Sequence, residues 1–168
     1  MENIKTKENL SNTPGINFID VENQYQDLFL LDKQIADESN GLLLPLESPE
    51  ELRKYLIEDH SSTNFLINDE HGDHAGYFSF YDKDAKTSEL LNIGVLKDFQ
   101  GKGFAQQMMQ DYFDKNKDKE LFILVTKPNN AQAIRFYEKL GYKITEFKKD
   151  YYGEGEDRVL LEKRNNIK

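Results

Sequence analysis

The sequence predicts an α+β fold with a mixed, mostly antiparallel sheet of about six to seven strands and about four flanking helices. Three observations predict it. Short apolar runs separated by turn residues fill residues 65–95, as in an antiparallel meander. Two pairs of an apolar strand and an amphipathic helix follow. A hairpin near Gly153-Glu154-Gly155 then closes the chain.

The composition indicates a single soluble domain. The chain has 168 residues, of which 32% are charged and 12% are aromatic, so it can bury a core. We predict a mobile N-terminal segment over residues 1–14 and one domain over residues 15–168. No apolar run approaches the ~20 residues of a membrane span, and residues 1–6 lack the apolar segment of a secretory signal. The absence of cysteine excludes disulfides and thiolate zinc sites and favours a cytoplasmic protein.

The net charge of −9 restricts the partners of the protein. It argues against nucleic acid, because phosphate binding requires a basic face. It is compatible with a cationic ligand that is drawn to an acidic cleft. The alternative is an acid excess that only keeps the protein soluble.

The N-terminal part predicts one strand and two helices. Residues 15–21 alternate as a strand. A helix that ends at Asn40-Gly41 is predicted by apolar residues at helical spacing, namely Tyr25, Leu28, Leu31 and Ile35. Ser48-Pro49-Glu50-Glu51 predicts a second helix start, with serine as N-cap and glutamate completing a capping box. The buried side chains of this helix should be Leu52, Tyr55 and Leu56.

Three strands follow, over residues 65–67, 75–81 and 88–95. His71 and His74 lie in the turn between the first two strands, which suggests a metal site. Polar side chains are also expected in a hairpin turn, and a third ligand is missing, so we predict no metal.

A glycine-rich turn, Gln100-Gly101-Lys102-Gly103-Phe104-Ala105, joins the last of these strands to an amphipathic helix. Such a turn directs backbone N–H groups and the positive end of a helix dipole at one point, which favours an anion such as phosphate. A tight turn without a ligand is the alternative. The dinucleotide and P-loop fingerprints fit poorly, since the turn has neither a third glycine nor a Gly-Lys-Ser/Thr ending.

A second motif follows the apolar strand at residues 121–125 and supports a phosphate-bearing cofactor. Residues 130–142 read Asn-Ala-Gln-Ala-Ile-Arg-Phe-Tyr-Glu-Lys-Leu-Gly-Tyr. With the two motifs in this order, the chain resembles the GNAT superfamily of acetyl-CoA-dependent N-acyltransferases from about residue 65 to residue 161. The family's pyrophosphate loop, Arg/Gln-x-x-Gly-x-Gly/Ala, is matched by Gln100, Gly103 and Ala105. Its later motif, Asn-x-x-Ala-x-x-Phe-Tyr-Glu-x-x-Gly-Phe/Tyr, is matched by Asn130, Ala133, Phe136, Tyr137, Glu138, Gly141 and Tyr142.

The resemblance implies a sheet that is splayed between its two central strands and acetyl-CoA as co-substrate, without a metal. An amine would attack the thioester directly in a ternary complex, since no cysteine is present to form an acyl-enzyme. Contacts to the cofactor are then expected from Ile93, Gly94, Val95, Gln100, Gly101, Lys102, Gly103, Phe104, Ala105, Gln106, Asn130, Ala133 and Tyr137. Lys102 either adds charge at the pyrophosphate or is a solvated turn residue.

The same resemblance implies roles for the strand before the glycine turn and for the helix after the asparagine. Residues 92–95 fit a β-bulge in which the N–H of Ile93 or Val95 polarises the thioester carbonyl. An ordinary core strand is the alternative. Asn130 is expected both to cap its helix and to bond the cofactor arm.

Two side chains are candidates for proton transfer. Tyr137 occupies the position of the family's general acid, which protonates the departing thiolate. A tyrosine that only packs in the core is the alternative. Glu89 is either the base that accepts the amine's proton, directly or through water, or a solvated carboxylate at the start of a strand.

The acceptor amine stays open. Tyr151-Tyr152 look similar to the tail of ribosomal-protein and N-terminal peptide acetyltransferases, but Val125 replaces a glutamate that those enzymes often carry. Peptide N-termini, lysines, polyamines, aminoglycosides and other small amines all remain candidates. A cationic acceptor would find acidic side chains on the last hairpin, namely Glu154, Glu156 and Asp157.

Other functions and assemblies are also compatible with the sequence. The alternative function is a catalytically inactive CoA-binding regulatory module on the same fold. An enzyme that binds ATP or NAD at the glycine turn lacks its fingerprints. A homodimer is compatible with the sequence.

Overall fold

The computed structural model describes residues 16–18, 20–44 and 46–165, so the predicted N-terminal segment, residues 1–14, lies outside them. The strands are β1 (Ile16–Phe18), β2 (Thr63–Asn68), β3 (His74–Asp82), β4 (Thr87–Val95), β5 (Leu121–Thr126), β6 (Lys143–Lys148) and β7 (Arg158–Arg164). The helices are α1 (Val21–Glu38), α2 (Pro49–Arg53) with a π-helical continuation (Lys54–Asp59), α3 (Phe104–Lys115) and α4 (Ala131–Lys139). The α+β class with a mixed sheet and four helices is confirmed for the described residues.

The chain divides into two compact units. The first unit comprises the described residues of Met1–Tyr81 together with Asn92–Lys115. The second unit comprises Asp82–Leu91 and the described residues of Asn116–Lys168. Neighbouring strands follow the order β1-β2-β3-β4-β5-β7-β6, and β4 begins in the second unit and ends in the first.

In the first unit, α1 and α3 cover opposite faces of antiparallel strands. β1 pairs with β2, and β2 pairs with β3. The Tyr77 hydroxyl of β3 donates a hydrogen bond to Asp32 of α1. Phe80 of β3 packs instead on Tyr112 of α3, with ring centroids 4.7 Å apart. Since odd and even positions of a strand face opposite ways, the two helices lie on opposite faces.

Both helix starts in the N-terminal part are capped. The Ser48 hydroxyl accepts a hydrogen bond from the Glu51 N–H at 3.1 Å, which confirms the predicted N-cap. The Glu51 carboxylate accepts from the Glu47 N–H at 2.7 Å, one residue before the N-cap. The strand predicted over residues 15–21 was too long, because Asp20 accepts from the Glu22 N–H and starts α1 at Val21.

In the second unit, β5 lies between two differently oriented neighbours. The parallel pairing of β4 with β5 covers only Thr87–Glu89 and Leu121–Ile123. β5 pairs antiparallel with β7 over its full length, and β6 pairs antiparallel with β7. The pairing of β4 with β5 therefore ends at Glu89 and Ile123.

Candidate active site

The glycine turn has the backbone conformation that only glycine adopts easily. Gly101 and Gly103 have φ angles of 74° and 86°. A Cβ atom at either position would meet nothing within 4 Å, so the backbone conformation and not close packing requires glycine here. The Gln100 side chain donates to the Val95 carbonyl oxygen at 3.0 Å and ties the turn to the end of β4.

The turn opens directly into α3. The Gln107 N–H donates to the Gly103 carbonyl oxygen at 3.0 Å, which is the first bond of the helix. The preceding N–H groups, at residues 104–106, have no intrahelical acceptor. Lys102 places its Nζ 5.2 Å from the centroid of the Phe99 ring. The turn therefore combines open space, backbone donors and one lysine, which suits an anionic group.

The end of β4 is pressed between β3 and α1. A Cβ at Gly94 would lie 2.7 Å from Cγ2 of Ile35 on α1. A Cβ at Gly76 of β3 would lie 2.1 Å from the Gly94 carbonyl oxygen. Both glycines are therefore required by close approach, which gives Gly94 a packing reason beside the bulge that the sequence suggests. The sequence pattern alone could not reveal this contact with α1.

Tyr137 is a buried residue of α4. Its side chain is 6% exposed, and its ring contacts Phe136 and Tyr142 at centroid distances of 5.4 Å and 5.7 Å. Among the described residues, its hydroxyl makes no hydrogen bond. Burial raises the pKa of the Tyr137 phenol above its ordinary value, so the group stays protonated near neutral pH.

Asn130 caps the same helix, as the sequence predicts. Its side-chain oxygen accepts a hydrogen bond from the Ala133 N–H at 3.2 Å. The cap fixes the first turn of α4 and so the direction in which Tyr137 leaves the helix.

Glu89 is buried in β4, and is not the solvated carboxylate that the sequence left as an alternative. The residue is 9% exposed and lies opposite Ile123 in the parallel ladder. Its Oε2 is 3.6 Å from Nζ of Lys83. The Lys83 ammonium beside this buried carboxylate offsets part of the cost of burying its charge.

The acidic side chains of the last hairpin are largely engaged within the loop. Glu156 contacts Arg158 at 3.1 Å and Lys127 at 3.4 Å, and these cations lower its pKa. Asp157 accepts a hydrogen bond from the Asp150 N–H at 2.8 Å. Two of the three carboxylates expected to attract a cationic acceptor are therefore used to hold the loop.

The structure places the candidate residues in two groups. The first unit carries Ile93, Gly94, Val95 and the turn from Gln100 to Gln106, and the second unit carries Glu89, Asn130, Ala133 and Tyr137. In the first unit the structure adds the Asp32–Tyr77 pair, which sequence reasoning missed. These residues are 45 positions apart, so no local signal links them. Across the described ranges, no three potential metal ligands cluster, and no helix is long and apolar enough to cross a membrane.

Comparison with known proteins gives a family match. A model of the acetyltransferase (GNAT) family matches residues 29–142. Over 79 residues, the chain is 30% identical to an N-alpha-acetyltransferase of Saccharolobus solfataricus, covering 45% of this chain and 47% of that protein. The chain thus spans about half the length of the curated relatives it matches.

Solved structures share the fold. The ribosomal-protein-S18-alanine N-acetyltransferase of Escherichia coli has a TM-score of 0.73 at 18% identity, covering 91% of this chain and 94% of that chain. A spermidine N-acetyltransferase of Vibrio cholerae, in complex with CoA and spermine, has a TM-score of 0.70 at 18% identity, covering 89% and 94%. A GNAT acetyltransferase of Elizabethkingia anophelis with acetyl-CoA bound has a TM-score of 0.59 at 24% identity, covering 66% and 82%. At these identities, the likeness concerns the fold alone.

Proposed function

Because the chain belongs to the GNAT acetyltransferase family, we propose that it is an N-acetyltransferase that transfers the acetyl group of acetyl-CoA to a primary amine. The acetyl-CoA found in a solved relative supports this co-substrate. The absence of cysteine supports a reaction in the cytoplasm.

The observation that carries the proposal is the Tyr137 hydroxyl. A buried phenol normally donates to a protein partner, yet this hydroxyl donates to no described residue. It sits on a helix whose sequence and asparagine cap match the family motif. A proton donor held without a partner is what a departing thiolate requires.

The remaining groups divide the work of binding. The backbone N–H groups from Gly101 to Gln106 hold the pyrophosphate, with Lys102 adding charge. The Gln100 N–H, which was expected to take part, donates instead to the Lys97 carbonyl oxygen at 3.2 Å. The N–H of Ile93 or Val95 donates to the thioester carbonyl oxygen as negative charge develops there. Asn130 holds α4 and, with Ala133, contacts the cofactor arm.

The reaction proceeds by direct attack. The amine nitrogen loses a proton through water to Glu89 and forms a bond to the thioester carbon, and the carbon–sulfur bond then breaks. The sulfur takes up one proton as CoA leaves. A phenol with a raised pKa is a weaker acid than a thiol. Tyr137 therefore donates a hydrogen bond to the developing thiolate and relays a proton that nitrogen has released.

The experiment is a thiol-release assay with acetyl-CoA and a panel of amines: N-terminal peptides, lysine, polyamines, aminoglycosides and amino acids. We expect amine-dependent release of CoA with one or more of them, and an acetylated amine by mass spectrometry. Thermal unfolding with and without acetyl-CoA measures binding separately. Acetyl-CoA binding without turnover on the whole panel would favour the inactive CoA-binding module instead.

A further inference from the structure

Asp32 is a half-buried carboxylate for which the described part of the chain supplies no cation. Among the described residues, its carboxylate accepts one hydrogen bond, from the Tyr77 hydroxyl, and takes part in no ion pair. Two other carboxylates on α1 have such partners: Glu22 pairs with Arg53 at 2.8 Å, and Glu38 accepts from the Lys97 N–H at 2.7 Å. Burial raises the pKa of Asp32, while the Tyr77 bond lowers it to a smaller extent. A partly desolvated charge without a counter-ion is unfavourable for folding.

The carboxylate lies near the end of β4. Ile35, one helical turn after Asp32, packs on Gly94, and Glu38 bonds the backbone just beyond β4. Along the axis of α1, Asp32 is one turn, or about 5 Å, from Ile35, the residue that contacts Gly94. Tyr77, whose hydroxyl donates to the carboxylate, follows Gly76 in β3, and a Cβ at Gly76 would lie 2.1 Å from the Gly94 carbonyl oxygen of β4.

We propose that Asp32, oriented by Tyr77, binds a second cationic group of the acceptor, so that preferred substrates carry a cation besides the nucleophilic amine. This inference rests on the proposed function, in which residues 93–95 hold the thioester. The reacting nitrogen must come within about 3–3.5 Å of the thioester carbon. The Asp32 carboxylate lies one helical turn from Ile35, the residue that contacts Gly94, and at the far end of the Tyr77 side chain. It is therefore placed to bind a second charge of the acceptor and not the nucleophilic nitrogen.

The charge distribution supports Asp32 over the carboxylates of the last hairpin. Glu156 already has two cationic partners, and Asp157 is bonded to the loop backbone. A cation at Asp32 would add a second partner to a carboxylate that accepts one hydrogen bond from the residues that the structure describes. Two sources supply such a group: a free diamine or polyamine, or a peptide with a lysine beside its N-terminal amine.

Two pairs of matched acceptors test the proposal and distinguish these sources. The first pair is 1,4-diaminobutane and butylamine, and the second is a peptide with lysine or norleucine as its second residue. The value of kcat/KM is measured for each in the wild type, in Asp32→Asn and in Asp37→Asn. Asp37 is an exposed carboxylate on the same helix, so its variant controls for net charge. Asp32→Asn preserves the shape of the side chain and its acceptor for Tyr77.

We expect the wild type and Asp37→Asn to prefer the dicationic member of at least one pair by roughly 10-fold or more, the usual scale of a charge-assisted hydrogen bond. Asp32→Asn should abolish this preference by lowering kcat/KM for the dicationic member toward the value for the monocationic member. Tyr77→Phe keeps the charge of Asp32 but removes the hydrogen bond that orients its carboxylate. It should therefore reduce the preference for the dicationic acceptor in part, by raising the KM of that acceptor. The pair of acceptors in which this preference appears shows whether the second cation belongs to a diamine or to the lysine of a peptide.

The inference is overturned if the wild type has no preference in either pair, or if Asp32→Asn retains it. It is also overturned if Asp32→Asn slows both members of a pair equally, which is the result of a structural role. The acetyl-CoA shift in melting temperature separates the two proposals. A wild type that binds acetyl-CoA and acetylates monoamines contradicts only the inference, whereas one that neither binds nor transfers contradicts the proposed function.

Discussion

Tyr137 is the residue at which structure and proposed chemistry meet most directly. Phenylalanine keeps the ring contacts with Phe136 and Tyr142 and removes the hydroxyl, which makes no hydrogen bond to described residues. Tyr137→Phe should therefore fold normally, bind acetyl-CoA with unchanged affinity and lose roughly 100-fold in kcat, the scale of one acid–base group. Steady-state kinetics and thermal unfolding measure the two effects.

A matched control for this variant is Tyr142→Phe, because Tyr142 is a buried tyrosine in ring contact with Tyr137. Tyr142→Phe should keep kcat within about twofold of the wild-type value, even if it lowers the stability of the fold, because Tyr142 lies outside the proposed acid–base pair. Equal losses in the two variants would assign both hydroxyls to packing. An unchanged kcat in Tyr137→Phe would show that solvent protonates the thiolate.

Glu89 tests how the amine loses its proton. An alkyl ammonium has a pKa near 10, so it is almost fully protonated at neutral pH and requires a base. Glu89→Gln keeps the shape but cannot accept the proton. We expect its kcat/KM to fall most near pH 7 and to recover toward pH 10, where free amine is already present. A pH–rate profile measures this recovery.

The control for Glu89→Gln is Glu120→Gln, which likewise removes a carboxylate that contacts a lysine, Lys86, at 2.6 Å. It should reproduce the wild-type pH–rate profile. A deficit in Glu89→Gln that stays constant across the pH range would indicate that Glu89 positions the substrate instead of accepting its proton.

At the residue scale, the sequence located candidates through motifs but not through their surroundings. Asn130 was predicted as a cap because that signal is local, and the bond to Ala133 confirms it. The burial of Glu89 depends on the parallel pairing with β5, and the Asp32–Tyr77 bond joins α1 to β3. Both are long-range consequences of folding, so neither has a sequence signature.

At the scale of elements, the turn between β4 and α3 makes the sharpest prediction. Gly103→Ala forces an L-residue into a left-handed conformation, which costs about 1–2 kcal/mol of stability, and places a methyl group where the phosphates would bind. Gly72→Ala is the matched control, since Gly72 has a φ of 88° and equally open surroundings. Gly72 lies in the turn between β2 and β3 and is not among the residues proposed to contact the phosphates.

The two alanine variants should lose similar stability, but only Gly103→Ala should lose affinity for acetyl-CoA. Isothermal titration calorimetry measures the affinity, and urea unfolding measures the stability. If Gly103→Ala binds acetyl-CoA with wild-type affinity, the pyrophosphate does not bind at the glycine turn. An equal loss of affinity in both variants would make the effect one of general destabilisation.

Helices and strands were predicted well where a local signal, such as a capping side chain or a turn residue, marks their ends. The Ser48 cap predicted the start of α2, and the strands predicted over residues 75–81 and 88–95 agree with β3 and β4 to within one residue at each end. The π-helical continuation at Lys54–Asp59 was not predicted, because its spacing of apolar residues is that of an ordinary helix. The short extent of the pairing between β4 and β5 was expected only through the family resemblance.

At the scale of the whole molecule, the net charge of −9 acts on both substrates. Its long-range field attracts a cationic acceptor and opposes the anionic cofactor, which must rely on the backbone donors and Lys102 at the glycine turn. Salt at about 0.15 M shortens the Debye length to roughly 8 Å, so it weakens the long-range electrostatic attraction and repulsion before the short-range contacts.

The two substrates should therefore respond to salt in different ways. Between about 0.02 and 0.3 M sodium chloride, the KM of a dicationic acceptor should rise several-fold with little change in kcat, because screening removes the attraction that concentrates it near the protein. The Kd of acetyl-CoA should change less, since screening weakens the local attraction and the long-range repulsion together. Butylamine provides the internal control, because its single charge should give a shallower salt dependence than 1,4-diaminobutane. Parallel salt dependences for acceptor and cofactor would show that the acid excess serves solubility alone.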